Sequence, residues 1–277
     1  MALCALGVLG TACGQDDSRA PNYGYNPTGG SGGVGGGVGG GAGGAAGQAG
    51  APQCTPNPAL GSKLSGDLVT YDLWLKDKQP WKGQAEIKTP GANCPSVSVI
   101  WDGSAPSGSD AGAPYFTLES VKTDPTLFAH FYPINDPALY PTMMLIEMTG
   151  DKHIVGGMGM VSSAGVDSVY AAMGITRDET KGTLIVQLLA PLTNAPQSGG
   201  KVNVGLNGTP AFPAAGGGWV ADGETDPSGI AVMLNTTAKP FPGNGVAVNV
   251  ELGIQKKTLG CAAESGAVSI CWIGIGS

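Results

Sequence analysis

Beyond residue 54 the apolar positions fall into short runs, many with the period of two expected of an extended chain buried on one side. Val69, Tyr71, Leu73 and Leu75 share one face of such a segment, and Ala85 to Ile87, Val97 to Trp101 and Tyr115 to Val121 follow between clusters of Gly, Pro and Asp. This spacing predicts an antiparallel β fold. Met143 to Met148 is continuously apolar but for Glu147, which suits a strand covered on both faces. One stretch changes period. Val166, Val169, Tyr170 and Met173 recur at helical spacing, behind Ser162 and Ser163 as caps and ahead of Gly174 as terminator, so a short helix near residues 163–173, packed on a sheet, is expected.

Composition narrows the class. The chain has 277 residues, 42% hydrophobic and 13% charged, with a formal net charge of -7. A sizeable core is feasible. No basic field is available to hold nucleic acid or anionic lipid against salt. Many of the 48 glycines lie between Gly29 and Gly50 without a three-residue period, which excludes collagen. From Gly14 to Gln53 the chain is polar and then almost pure Gly and Ala, the composition of a disordered tether. Taking about 5 to 6 Å times the square root of roughly 40 residues, its reach is on the order of 35 Å. The Gly-x-Ser-x-Gly match around Ser31 and the Gly-x-x-x-Gly matches in this block lack the strand-to-helix turn and the apolar span that would give them meaning.

Ahead of the tether, an apolar run from Ala5 to Leu9 leads through Gly10, Thr11 and Ala12 to Cys13. This resembles a bacterial lipoprotein signal ending in a lipobox. The resemblance implies removal of the signal, acylation of Cys13 and export to the outer membrane or cell surface, with the periplasm as second choice. No Lys or Arg precedes the run, and Leu9 stands one place early; the resemblance then implies a start assigned too far downstream, which would explain the missing basic region. The run is far shorter than the roughly 20 residues that span a bilayer.

Between Gly182 and Val250 the chain reads Thr183 to Leu188, then Ala195-Pro196-Gln197-Ser198-Gly199-Gly200-Lys201-Val202, then Thr225-Asp226-Pro227-Ser228-Gly229 into Ile230 to Asn235, and finally Gly245 to Val250. This order resembles the carboxypeptidase regulatory-like domain, a transthyretin-like β-sandwich. The resemblance implies a sandwich over residues 181–277 with a usually non-enzymatic role. Here Gly200-Lys201-Val202 replaces the family's Gly-Ala-x-Val, and Gly205 to Gly223 is a long insert. Independently of the family, Asp226 can cap its own turn, Pro227 fixes φ, and Gly229 can take a positive φ. Thr123-Asp124-Pro125-Thr126 echoes that turn without a glycine behind it.

The expected organisation is therefore mainly β: signal 1–13, tether 14–53, a β-rich region with one short helix over 54–180, and an antiparallel β-sandwich over 181–277. No catalytic, cofactor or metal site is expected. His130 and His153 lie in separate segments without paired ligand spacing. Asp222, Glu224 and Asp226 alternate, but Met233 stands where a calcium loop needs Glu, so a solvated turn is expected. Trp74, Trp81, Trp101, Trp219 and Trp272, with Tyr132 and Tyr140, read mainly as core or edge residues. Trp219, in the glycine-rich insert, is the candidate ligand contact. Four cysteines remain in the globular region, and an exported chain would pair them. A hairpin near Gly266 would join Cys261 to Cys271, leaving Cys54 with Cys94 by elimination; four reduced thiols are the alternative. The function expected is a lipid-anchored binding or structural protein of the cell envelope, its partners a membrane and an envelope protein or glycan. The alternative is a carbohydrate-binding module or accessory subunit of an extracellular hydrolase.

Overall fold

The computed structural model describes residues 57–76, 78–81, 83–101, 115–239 and 245–276. The expected signal with Cys13, the glycine-rich tether and Cys54 lie outside the described residues. In chain order the strands are β1 (Ser62–Tyr71), β2 (Lys78–Pro80), β3 (Gln84–Thr89), β4 (Val97–Trp101), β5 (Tyr115–Val121), β6 (Asp124–Ile134), β7 (Leu139–Tyr140), β8 (Thr142–Met148) and β9 (Lys152–Ser162). Helix α1 (Ser163–Met173) follows. Then come β10 (Gly182–Leu189), β11 (Lys201–Asn203), β12 (Thr209–Pro213), β13 (Trp219–Val220), β14 (Ile230–Thr236), β15 (Val246–Leu252), β16 (Gln255–Cys261) and β17 (Val268–Gly274).

The chain is mainly β, as expected, and its strands form three layers. A nine-stranded sheet in the order β13-β12-β14-β10-β17-β8-β6-β3-β4 is the middle one. Alternation along its strands divides the core. Leu127, Ala129, Phe131, Met144, Ile146, Ile185, Ile230, Val232, Val268 and Ile270 face the five-stranded sheet β2-β1-β9-β7 with β5, together with α1. Leu184, Val186, Leu188, Ala231, Met233, Cys271 and Ile273 face the three-stranded sheet β11-β15-β16. β8 is buried on both sides except near Glu147, as its continuous apolar run requires.

Two features depart from the pattern-based expectation. First, the pairs β1 with β9, β10 with β17, and β17 with β8 are parallel. Parallel neighbours need long crossovers, and the excursion through β11 to β16 supplies one between β10 and β17. Second, the boundary expected at 180/181 lies within a shared sheet: Val268, Ser269 and Ile270 of the later half pair with Thr142, Met143 and Met144 of the earlier. Locally, β1 ends at Tyr71. Leu73 and Leu75 stay buried, but in a turn in which Lys76 N–H donates to Asp72 Oδ1 at 2.9 Å and Leu75 has φ +56°.

The helix forms where expected. Val166, Val169 and Tyr170 are buried, and Gly174 is left-handed at φ +64°. Ser162 stands at the N-cap without a side-chain bond, while Ser163 Oγ donates instead to Pro137 O at 3.1 Å. At Gly159 no side chain is admissible, because a Cβ there would lie 1.8 Å from Val69 O on the paired strand.

Candidate functional site

The segment between β16 and β17 is where the layers are tied together. Cys261 and Cys271 are disulfide-bonded, with Cα atoms 6.1 Å apart. The bond is the expected one, but the hairpin is not. β16 pairs with β15, whereas β17 pairs with β10 and β8, so the disulfide joins two facing sheets. The alternation of β17, with Cys271 and Ile273 facing β15 and β16, aims the sulfur across the core. Cys94 also takes part in a disulfide; its expected partner, Cys54, lies outside the described residues. The crossing segment is held from several sides. Lys239 N–H donates to Ala263 O at 2.8 Å, Gly266 N–H to Lys181 O at 2.9 Å, Arg177 Nη2 to Gly266 O at 2.7 Å and Ser265 Oγ to Thr180 O at 2.9 Å.

That segment delivers Glu264 onto the face of the middle sheet that looks away from the main core. On β6 the same alternation that buries Ala129 and Phe131 turns His130 and Tyr132 to this face. His130 Nδ1 lies 3.1 Å from Glu264 Oε2 and 2.9 Å from the Tyr132 hydroxyl, which donates to Glu264 Oε2 at 3.2 Å. Lys88, paired with His130 across β3 and β6, sets its ammonium 5.2 Å from the Tyr132 ring centre and 3.0 Å from Glu86. The hydrogen bond from His130 holds the Glu264 carboxyl below its ordinary range, with help from Tyr132 and Lys88 and against the cost of burial. Burial first, and then the charge of Glu264, push the Tyr132 phenol upward, so it stays a neutral donor. Chemically the set receives and gives hydrogen bonds around one ionised carboxylate, which makes it a polar lock between the two halves of the chain.

The other residues named from sequence are dispersed. His153 lies in the five-stranded sheet, its Nδ1 3.0 Å from Ser65 Oγ. Among the described residues no group of three or more His, Cys, Asp or Glu side chains is placed to hold a metal ion. Asp226 builds the expected turn, accepting from Ser228 N–H at 2.8 Å and from the Ser228 hydroxyl, with Gly229 at φ +72°. Thr225 is buried beneath it. Its Oγ1 accepts from Gly200 N–H at 3.0 Å and donates to Gln197 O at 2.9 Å, which brings the proline turn and the Thr-Asp turn together. Asp124 makes the same turn with Thr126, its Oδ1 accepting from that residue's N–H at 2.9 Å and Oγ1 at 3.0 Å. Trp219 is not isolated. It stacks on Trp74 at 5.4 Å and 14°, and both pack on the main core. Trp81 and Trp101 are buried against each other, and Trp272 donates to Gln187 Oε1 at 3.0 Å. These rings therefore form no common platform. Sequence reasoning named His130 as a histidine without ligand spacing and Tyr132 as a core or edge aromatic, did not join them, and missed the roles of Glu264 and Lys88. The same-face spacing of His130 and Tyr132 was visible; their meeting with Glu264, 134 residues away from His130, left no local signal.

No family model matches the chain, and no curated protein does. Among solved structures, the shaft pilin SpaA from Lactobacillus rhamnosus GG is 11% identical, with 78% of this chain and 98% of that one covered and a TM-score of 0.22. The fimbrial anchor protein Mfa2 from Porphyromonas gingivalis is 8% identical, covering 72% and 82%, at a TM-score of 0.20. The pilus protein RrgB from Streptococcus pneumoniae is 9% identical, covering 80% and 48%, at 0.19. Likeness at these scores carries no argument about function.

Proposed function

We propose that the chain is an exported, lipid-anchored protein of the cell envelope, acting as a binding or structural module. The observation that carries this reading is the covalent link between facing sheets, Cys261 to Cys271. Such bonds persist in oxidising compartments outside the cytoplasm. Acylation at Cys13 supplies the anchor and the glycine-rich block the tether. Residues 181–277 form the transthyretin-like module in this reading, with sheet β12-β14-β10-β17 against β11-β15-β16 as its two layers.

Detergent-phase partitioning tests the anchor. The chain expressed in a bacterial host from its upstream start should enter the detergent phase and its Cys13→Ser variant should stay aqueous; two aqueous proteins would remove the anchor. Non-reducing peptide mapping of the exported chain tests the compartment, with Cys54 to Cys94 expected beside Cys261 to Cys271. Free thiols in material taken directly from cells would place the protein elsewhere.

A further inference from the structure

At one end of the molecule two neighbouring connections carry exposed aliphatic side chains at their tips. β10 and β17 run parallel and finish together at Leu189 and Gly274. Beside that finish lie two connections. In the 190–197 loop, Pro191 stands 3.8 Å from the Cβ position of Gly274. At the tip of the β15–β16 hairpin, the Gln255 side chain accepts from Gly276 N–H at 2.8 Å. The tips of these connections are Leu192, 91% exposed, and Ile254, 99% exposed. Their immediate neighbours, Pro191, Thr193, Gly253 and Gln255, carry no charge. The first charged side chain beyond Ile254 is Lys256, a cation, paired with Glu251.

The same end receives the chain from its N-terminal side. β8 runs in the direction of β17, so Met148 lies toward this end, and the short turn after it starts β9 at Lys152. β1 runs parallel to β9, with Leu64 opposite Lys152 and Lys63 N–H donating to Asp151 Oδ1 at 2.8 Å. The chain therefore joins the fold at this end, and just before β1 it exposes a third aliphatic side chain, Leu60, at 61%. Leu206, equally exposed, lies at the opposite end, where Thr237 N–H donates to Asn207 O at 2.6 Å.

We infer that this end docks on a lipid bilayer, with Leu192 and Ile254 inserted into the interface and Leu60 beside it. The inference rests on the anchored reading above only for its orientation: a tether that joins the fold at this end presents the same end to the membrane that holds it. Insertion is apolar. Leu192 and Ile254 have uncharged chain neighbours and enter alone, while the charges around them, Lys256 paired with Glu251 and Lys257 on Gly274 O at 2.9 Å, stay in the headgroup layer; the net charge of -7 gives no attraction to anionic headgroups.

Flotation of the full chain carrying Cys13→Ser, which has no acylation site, on neutral phosphatidylcholine and phosphatidylethanolamine vesicles tests the docking apart from the anchor. The protein should float, with little change on adding salt. Adding Leu192→Asp and Ile254→Asp should lower partitioning at least about tenfold, the minimum expected from losing two buried aliphatic side chains. Leu206→Asp should leave it unchanged. Failure of the parent to float, equal flotation of the double variant, or loss of binding in salt would overturn the proposal. So would a vesicle-free dimer, seen by sedimentation, that the double variant abolishes. Failure of the anchor instead appears only in the detergent partitioning of the chain with Cys13 intact.

Discussion

At Glu264 one carboxylate answers His130, Tyr132 and Lys88 together. Its folded-state value lies below the ordinary 4.5. Between the two values the unfolded chain binds more protons, so stability falls as the medium is acidified through that window and is fully present above it. Glu264→Gln should therefore flatten the acid limb of a denaturation-against-pH curve below pH 4.5, and cost about 1 kcal/mol at neutral pH through lost hydrogen bonds. An unchanged acid limb would show that the lock is solvated. At the alkaline side, burial and a hydrogen bond to Asp167 push Tyr140 up to about 12, although Arg177 over its ring pulls the other way. The unfolded phenol loses its proton near 10. Stability should fall from about pH 10 toward 12, and phenolate absorbance of the folded chain should show Tyr140 titrating after an exposed tyrosine; Tyr140→Phe should remove that late step.

At the scale of elements, α1 is fastened by more than its apolar stripe. The Tyr170 hydroxyl lies 2.8 Å from Thr183 Oγ1, donates to Asn235 Oδ1 at 3.2 Å and accepts from Asn235 N–H at 3.0 Å. Asn235 in turn accepts from Asp178 N–H at 2.9 Å and donates to Thr176 O at 2.9 Å. One hydroxyl thus ties the helix, the 175–181 connection and β14 together. Tyr170→Phe keeps the packing but orphans buried partners, so a loss of about 1 to 3 kcal/mol is expected in urea unfolding; a loss near zero would mean the network rearranges freely. The disulfide acts at the same scale. Closing the short loop between Cys261 and Cys271 should contribute about 3 kcal/mol by restricting the unfolded chain. The paired Cys261→Ala and Cys271→Ala variant should lower the denaturant midpoint accordingly and leave the slope nearly unchanged.

For the whole molecule, the parallel pairing of β8 with β17 makes one sheet of two chain halves. Ile270 lies at that seam, fully buried beside Met144 and Ile185 in the core shared by both halves. Ile270→Ala should cost about 2 to 5 kcal/mol. If the seam couples the halves, calorimetry of the wild-type chain should show one transition and the variant should shift it without splitting it. Two separate transitions in the wild type would show that each half unfolds alone. The layer order also explains why the Gly229 turn admits no larger residue. Besides its positive φ, a Cβ there would meet Leu188 O at 2.6 Å, on a strand buried on both faces.

What the sequence determined by itself was local. The continuous apolar run placed β8 and the helical period placed α1, the Asp226 to Gly229 turn followed from the conformations those residues prefer, and their closeness in the chain made Cys261 and Cys271 natural partners. What only the tertiary structure decided was which strands became neighbours. Periodicity states that a face is buried but not against what, so it could not reveal that β17 inserts between β10 and β8, that Cys261 and Cys271 face each other across layers, or that Glu264 reaches His130. Trp219 makes the same point: its glycine-rich surroundings suggested an isolated ring, and Trp74, from the other half of the chain, covers it. Contacts between residues distant in sequence depend on the packing of whole layers, and a single strand's pattern carries no record of its partner.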